Sequence, residues 1–483
     1  MNLEQLKKIA TSAIDESSSV FCEVSDKIWE YAELSLKEFR STELYLNVLR
    51  ELGFEVESDV ADIKTAFLGK AGSGRPYIGI LGEYDALSGL SQIGGATEKI
   101  EYEKGGNGHG CGHNMLGAGS LAAAYGIKKY LEASGKSGTV IFYGTPGEEG
   151  GAGKAFMAKR ELWRELDVAL TWHPMDVNEV TTGTCNSCLQ VLYKYRGVAS
   201  HAAGDPEHGR SALDAVELMN TGVQYLREHT KDDARIHYAI IDGGGFSPNV
   251  VQPTASVLYM VRSKLVKDAN ALLKRVDKIA DGAALMTETT YERVFIDGCS
   301  GTVPNHSLEA LLYKNLKEIG SAEYTEEEWA YANALKATYD THGVIPSLAA
   351  SLDSAAREEV EKITDNGTRA INDFIAPLYT GDAFSPGSTD VGDVSWQTPT
   401  AQVYTACFTS GAPGHSWQNV SAGKSSIGHK GLLLAAKVLA SCAVELFENP
   451  EFIADAKAEF EKRTKDGYTS PIPDGEYAKA VEI

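Results

Sequence analysis

Residues 77–85 read YIGILGEYD, an apolar run that ends in two carboxylates. The run predicts a buried strand, because short β-rich apolar segments are typical of strands that are covered on both faces. Similar runs alternate with helical patterns through the first half of the chain: strands at 139–143 and 168–172, and helices at 12–52, 116–131 and 153–162. This alternation predicts βαβ units, and therefore an α/β fold with a largely parallel sheet covered by helices.

The pattern changes near residue 187. Four strands and two helices follow, with strands at 189–195, 237–241, 256–261 and 291–296 and helices at 211–229 and 267–286. Helical patterns then resume, with an acidic helical stretch at 325–373 and a further strand candidate at 402–408. We therefore predict a catalytic α/β domain formed by residues 1–186 and 303–483, interrupted by an α+β domain at 187–302.

The composition is that of a globular chain, since 43% of the 483 residues are hydrophobic and 23% are charged. The formal net charge of −22 argues against a general affinity for nucleic acid or an anionic membrane, because both are held chiefly by Lys and Arg. The first residues predict an amphipathic helix without an export signal. The longest apolar stretch, 431–447, contains Lys437 and Glu445 and predicts a buried core helix. Seven irregularly spaced cysteines do not indicate a disulfide framework, so we expect a cytoplasmic protein.

Residues of metal-ligand type follow the apolar runs of the predicted sheet. They are Glu83 and Asp85, Glu148 and Glu149, His173, and, after Phe408, His415. Open parallel sheets build their sites at the carboxyl ends of the strands, where these residues would meet. A glycine-rich loop adds GHGCGHN at 108–114, which places a thiol and imidazoles two residues apart. Thiolate, imidazole and carboxylate together predict a site for zinc or manganese.

The adjacent pair Glu148 and Glu149 indicates hydrolysis. Consecutive side chains of an extended segment point in opposite directions, so one carboxylate can bind metal while its neighbour acts as general base towards a water molecule. Two metal ions of such a site lie about 3.5–4 Å apart, which requires a bridging group such as a thiolate.

Four motifs together are specific for one family: GEYDAL at 82–87, CGHNMLG at 111–117, GEEGG at 147–151 and STDVGDVSW at 388–396. With them the chain resembles, over nearly its whole length, the dinuclear metallopeptidase and amidohydrolase family that contains carboxypeptidase G, the aminoacylases and the auxin-conjugate hydrolases. The motifs are most similar to the branch of that family that acts on p-aminobenzoyl-glutamate. The chain departs from many auxin-conjugate relatives at Glu83 and Asn114, where those relatives carry Asp.

The resemblance implies a role for ten residues of this sequence. The implied metal ligands are Cys111, His113, Glu149, His173 and His415, with Cys111 as the bridge between two divalent ions. Glu148 is the implied general base, and Asp85 orients a ligand. In the inserted domain, expected to be ferredoxin-like and to mediate dimerisation, His201 is implied to reach the active site of a neighbouring subunit and stabilise the oxyanion. Asn249 and Arg262 resemble contacts to the substrate carboxylate.

Other residues compete with some of these assignments. His429 is an alternative to His415, but it stands at the start of an apolar helix, where capping or packing is sufficient. His109 is expected to contact substrate or to support the structure. Cys185 and Cys188 have the spacing of a redox or zinc motif, yet no second pair accompanies them, so we interpret them as structural.

The expected function is metal-dependent hydrolysis of p-aminobenzoyl-glutamate to p-aminobenzoate and glutamate, by a homodimer or with a homologous subunit. The nearest alternative is a broader aminoacylase or dipeptidase, because the acyl pocket cannot be deduced from the sequence. A second alternative is a non-catalytic subunit that binds a ligand and supplies His201 to its partner. A nucleotide-dependent oxidoreductase is disfavoured because no G-x-G-x-x-G follows a strand.

Overall fold

A computed structural model describes residues 1–340 and 354–480 of the chain. Its strands are β1 Glu55–Ser58, β2 Phe67–Ser73, β3 Tyr77–Gly82, β4 Gly138–Gly144, β5 Val168–Met175, β6 Glu179–Val180, β7 Thr184–Cys185, β8 Ser187–Arg196, β9 Arg235–Asp242, β10 Thr254–Ser263, β11 Thr290–Cys299, β12 Phe384–Ser385 and β13 Thr400–Ala406. Seven of them form one sheet in the order β1-β2-β4-β3-β5-β13-β6. β4, β3, β5 and β13 are parallel, whereas β1, β2 and β6 join the sheet antiparallel.

The α-helices are α1 Leu3–Glu16, α2 Ser18–Tyr31, α3 Phe39–Glu51, α4 His113–Ser134, α5 Gly153–Lys159, α6 Ala212–Arg227, α7 Val266–Thr287, α8 His306–Ile319, α9 Glu326–Lys336, α10 Ser354–Ile363, α11 Val391–Ser395, α12 Trp417–Ala422, α13 Ser426–Glu448 and α14 Pro450–Arg463. The most apolar of them, α4 and α13, pack on the large sheet within its main hydrophobic core. Gly119 permits this contact, because a Cβ there would lie 2.6 Å from the Trp172 ring. The start of α4 is thereby fixed against the centre of the sheet.

A second sheet of four antiparallel strands has the order β11-β8-β10-β9. Along the chain its elements follow as β8, α6, β9, β10, α7 and β11, which is the ferredoxin-like arrangement. Side chains alternate across its strands, so Val191, Tyr193, Val257 and Tyr259 pack in a core that includes residues of α6 and α7. The unit falls within the predicted insertion, although the boundaries 1–186, 187–302 and 303–483 stay a prediction.

The predicted strands of the parallel sheet are confirmed as β3, β4, β5 and β13. The continuous helix predicted at 12–52 is wrong, because α1, α2 and α3 replace it and Ala32 ends α2 in the left-handed conformation. The antiparallel edge strands β1 and β2 have no counterpart in the sequence prediction. α13 confirms the buried helix predicted at 431–447.

The acidic stretch predicted as helical at 325–373 contains α9 and α10. Its residues 341–353 lie outside the described part of the chain. Over residues 1–340 and 354–480, no helix has both the length and the apolar character that crossing a bilayer requires.

Candidate metal centre and active-site cavity

The carboxyl ends of four parallel strands bring the predicted residues to one edge of the sheet. β3 leads into Glu83 and Asp85, β4 leads into Glu148 and Glu149, and His173 lies within β5. The prediction placed His173 after its strand, but β5 extends to Met175 because it pairs with β13 as far as Ala406. Gly112, with φ +84°, turns the glycine-rich loop into α4 and so places Cys111 and His113 at the helix start.

Cys111 belongs to two groups whose ligand atoms lie within 4.8 Å of one another. One group is Cys111, His113 and His173, and the other is Cys111, Glu149 and His415. The Cys111 sulfur lies 3.5 Å from His173 Nε2, and Glu149 Oε1 lies 3.5 Å from His415 Nε2. The thiol therefore stands where one atom can be shared by two ions. All five residues predicted as ligands are brought together.

Two hydrogen bonds orient the imidazoles of the first group. His113 Nδ1 bonds Asp85 Oδ1 at 2.9 Å, and His173 Nδ1 bonds the carbonyl of Pro174 at 2.8 Å. Each acceptor fixes the ring proton on Nδ1 and leaves Nε2 as the basic atom, the arrangement found behind metal-bound histidines. Asp85 is itself held by the Ser35 hydroxyl and the Glu149 amide, at 2.7 and 2.9 Å.

The donor atoms of the site fit a metal. His113 Nε2 and Glu149 Oε1 are buried and have no hydrogen-bond partner among the described residues, although buried polar atoms in proteins are nearly always paired. His415 adopts φ +53°, a left-handed conformation that is uncommon for residues other than glycine and concentrates at functional sites. Soft thiolate with imidazole and carboxylate suits zinc or a similar divalent ion.

A buried ion network, not predicted from the sequence, lies beside this centre. Lys154 Nζ, at the start of α5, lies 2.7 Å from Glu83 Oε1 and 2.6 Å from Asp390 Oδ1. The backbone N–H of Lys154 donates to Asp390 Oδ2 at 2.9 Å. The other Glu83 oxygen lies 3.2 Å from His113 Nε2. Lys154 is fully buried, so its charge depends on these two carboxylates.

The charges of the network shift its pKa values in opposite directions. Burial alone would raise the pKa of Glu83, but Lys154 and then His113 hold it below its ordinary value. Burial works against the cation of Lys154, and Asp390 with Glu83 outweighs it, so the pKa of Lys154 is raised. For Glu148, burial and the nearby charges of Glu83 and Glu149 raise the pKa well above its usual range.

Two ligand-type residues respond chiefly to burial. Burial lowers the pKa of His173 to about 4, so the imidazole is neutral near pH 7, which is the form that binds metal. Burial also raises the pKa of the Cys111 thiol. A thiolate at this position therefore requires positive charge next to the sulfur, as a divalent ion provides.

These groups open into a cavity of about 450 Å³. Its walls include Glu83, Cys111, Glu148, Glu149, His173 and His415 from the metal centre and Arg262 from β10. The Arg262 guanidinium donates to the Ser388 hydroxyl at 2.7 Å, so this predicted carboxylate contact does face the cavity. Such a volume is in the range of small-molecule pockets.

His201 and Asn249 do not line this cavity within the described chain. They lie together on the surface, where the Ala202 amide bonds the Asn249 carbonyl at 3.0 Å. The Ala203 and Gly204 amides both donate to His201 Nδ1, at 3.2 and 2.9 Å. The neutral ring therefore carries its proton on Nε2.

The competing histidines are engaged elsewhere. Buried His109 bonds the Ile28 carbonyl through Nε2 at 3.0 Å, and His429 bonds Asp26 at 2.8 Å. Neither belongs to a group of ligand residues in the described parts of the chain. Cys185 and Cys188 are buried free thiols.

The sequence analysis missed Lys154 and Asp390 as neighbours of the centre. A lysine within the apolar run AGKAFMAK at 152–159, and an aspartate within the motif STDVGDVSW, are the signals that could have indicated them. Glu83 was recognised as a strand-end acid, but its pairing with Lys154 depends on the tertiary fold.

Comparison with known proteins gives matches over the whole chain. Residues 79–481 match the model of peptidase family M20/M25/M40. The chain is 42% identical to one of the named subunits of the p-aminobenzoyl-glutamate hydrolase of Escherichia coli (strain K12), covering 98% of both chains. It is 28% identical to the Xaa-Arg dipeptidase of Mus musculus, covering 96% of this chain and 94% of that protein. Its fold resembles a dinuclear metal binding peptidase of Bacillus subtilis, with a TM-score of 0.52, 17% identity, and coverage of 90% and 99%.

Proposed function

The chain belongs to peptidase family M20/M25/M40, and from this premise we propose that it is a two-metal amidohydrolase that cleaves p-aminobenzoyl-glutamate to p-aminobenzoate and glutamate. The observation that carries the proposal is the position of Cys111 in two adjoining groups of ligand atoms. The choice of substrate is supported by 42% identity to a hydrolase named for it.

Five side chains would hold the metals: Cys111 between the two ions, His113 and His173 on one side, and Glu149 and His415 on the other. When bound, two divalent ions lower the pKa of a water molecule and polarise the amide carbonyl. We propose zinc or manganese, since both accept this mixture of sulfur, nitrogen and oxygen donors.

The residues of the chain supply the proton transfers and the alignment. Glu148 lines the cavity without being needed as a ligand, and its raised pKa suits a base that takes a proton from the attacking water and gives it to the leaving amine. Asp85 holds His113 in one orientation and tautomer. Arg262 on the cavity wall binds a carboxylate of the glutamate moiety, which the net charge of −22 would otherwise repel.

We further propose that His201 completes the active site of a partner protomer. Its Nε2–H is a donor that can stabilise the oxyanion of the tetrahedral intermediate. Strand β9, next to this region, pairs on one side only within the described residues. β9 exposes Tyr238 and Ile240, and Phe246 of the following loop is 98% exposed. An unpaired edge with exposed apolar side chains favours association with another sheet.

The partner is a second copy of this chain or a homologous chain. The E. coli relative is named as one subunit of its hydrolase, which supports a hetero-oligomer, while a two-fold homodimer satisfies the same edge. Asn249 would then accompany His201 into the composite site. We propose the cytoplasm as the compartment, on the evidence of the free cysteines.

A dipeptidase is the second candidate, because the Xaa-Arg dipeptidase aligns over 96% of this chain. Both candidates use the same metal centre and differ in the acyl group they accept. A panel containing p-aminobenzoyl-glutamate, other N-acyl glutamates and Xaa-Arg dipeptides, with products identified by chromatography, separates them. Release of p-aminobenzoate with the highest kcat/KM of the panel is the expected result, and a preference for dipeptides would refute the proposed substrate.

The adjacent glutamates provide the matched control. Glu148→Gln should retain the metals and lose hydrolysis by at least about 10²-fold, the range typical of a general base. Glu149→Gln should lower metal content itself. Metal analysis and turnover are measured on the same preparations, and the opposite pattern would show that the two roles are exchanged. Normal turnover of Glu148→Gln would favour the alternative in which this chain is non-catalytic.

A further inference from the structure

The second sheet presents one face to the cavity. Six side chains at alternating positions of three neighbouring strands line the cavity: Met260 and Arg262 of β10, Cys188 and Gln190 of β8, and Asp297 and Cys299 of β11. The strand register places them in two rows, Met260-Gln190-Asp297 and Arg262-Cys188-Cys299. The first row ends in a carboxylate and the second row begins with a cation.

Asp297 is a buried acid with little compensation. It is 2% exposed, and Gln190 Nε2 donates to its Oδ2 at 3.1 Å. Its Oδ1 makes no hydrogen bond within the described residues, and no cation pairs with it there. Burial raises the pKa of Asp297 to about 7. A polar group that lines a cavity and keeps one free acceptor indicates a donor on the ligand.

The position of Asp297 relative to Arg262 follows from sheet geometry. Two strand spacings separate them by roughly 10 Å, and two residues along the strand add roughly 7 Å, so the two groups stand about 12 Å apart. Arg262 is proposed to bind the glutamate end of the substrate. Asp297 therefore faces another part of the bound molecule.

We propose that Asp297, held by Gln190, accepts a hydrogen bond from an amine on the acyl part of the substrate, so that the enzyme prefers N-acyl glutamates whose acyl group carries a neutral amino donor. This inference rests on the proposed function and specifies its acyl selectivity. An acyl group without a donor leaves the buried acceptor unpaired, and a site built to bind such a donor discriminates strongly against the analogue that lacks it.

The test compares p-aminobenzoyl-glutamate with p-methylbenzoyl-glutamate, whose methyl group has nearly the size of the amine and cannot donate. The wild-type ratio of kcat/KM is expected to be on the order of 10–100-fold in favour of the amine. In Asp297→Leu the ratio should fall to about threefold or less. Asp393→Asn is the control, since Asp393 is equally buried, bonds Ser300 and Tyr468, and does not line the cavity; its ratio should stay within about twofold of the wild type.

Circular dichroism and metal content establish that each variant is folded and loaded. If Asp297→Leu does not fold, Asp297→Asn replaces it and must lower the ratio at least about threefold, because the amide is a weaker acceptor than a carboxylate. A ratio unchanged in the folded variant, or equal turnover of both substrates by the wild type, overturns the inference and leaves the proposed function intact. Failure of the wild type to hydrolyse either substrate refutes the proposed function and the inference with it.

Discussion

Replacing Lys154 with methionine tests the ion network beside the metal centre. The side chain is fully buried and lies within 2.7 Å of carboxylate oxygens of both Glu83 and Asp390. Methionine keeps much of the volume and removes the charge, so two buried carboxylates lose their counter-ion. Breaking a buried ion pair from one side typically costs about 3–5 kcal/mol, because the remaining charge is uncompensated.

The expected loss can be followed by calorimetry. The entropy of unfolding is about 2.1 cal/mol/K per residue, so a chain of this length that unfolds as one unit has about 1 kcal/mol/K. Lys154→Met should therefore lower Tm by about 3–5 °C, and by more if a smaller unit unfolds cooperatively. The control is Lys128→Met, which removes an (i, i+4) pair with half-exposed Glu132 and should cost no more than about 1 kcal/mol.

A combined variant distinguishes charge from packing. Adding Glu83→Gln and Asp390→Asn to Lys154→Met removes all three charges, and the triple variant should be more stable than Lys154→Met alone. A Lys154→Met protein whose unfolding free energy lies within about 1 kcal/mol of the wild type would refute the assignment of a compensated buried charge. Further loss in the triple variant would show that packing, and not charge, explains the effect.

Four other perturbations test the centre and the assembly. Cys111→Ala should lose both metals and activity together, measured by elemental analysis, whereas Cys407→Ala, a core thiol, should retain its metals; full occupancy of Cys111→Ala would contradict the bridge. Arg262→Ala should raise KM at least about tenfold for p-aminobenzoyl-glutamate, and an equal loss on a substrate with amidated glutamate carboxylates would show that Arg262 does not bind those groups. Inactive His201→Ala mixed with an inactive general-base variant should recover roughly a quarter of wild-type activity after subunit exchange, since half the dimers then hold one intact site; no recovery despite verified exchange would refute the shared site. Because the pKa of Asp297 is raised from 3.8 to about 7 in the folded chain, the unfolded state ionises first, so wild-type stability should fall relative to Asp297→Asn between about pH 4 and 7 and stay level above, by a few kcal/mol at about 1.4 kcal/mol per unit; a pH-independent difference would contradict the burial argument.

Local sequence patterns were sufficient for the parallel strands and for the ligand types at their ends. β3, β4 and β5 are continuous apolar runs because both of their faces are covered, and such runs are recognisable without an alignment. The edge strand β2 is less distinct: its outer residues are exposed and it contains two glycines and a lysine. The break between α2 and α3 escaped detection because it depends on the left-handed conformation of Ala32, which is not a glycine.

By itself the sequence determined the α/β class, the chemistry of the ligands and their order along the chain, because strand ends and glycine-rich loops are local features. Only the tertiary structure decided that Lys154 neutralises Glu83 and Asp390, that Asp297 faces the cavity, and that His201 lies away from it. These relationships join residues far apart in sequence, and their geometry follows from strand register and helix packing. Burial, which shifts the pKa values of these groups, is likewise a property of the folded chain.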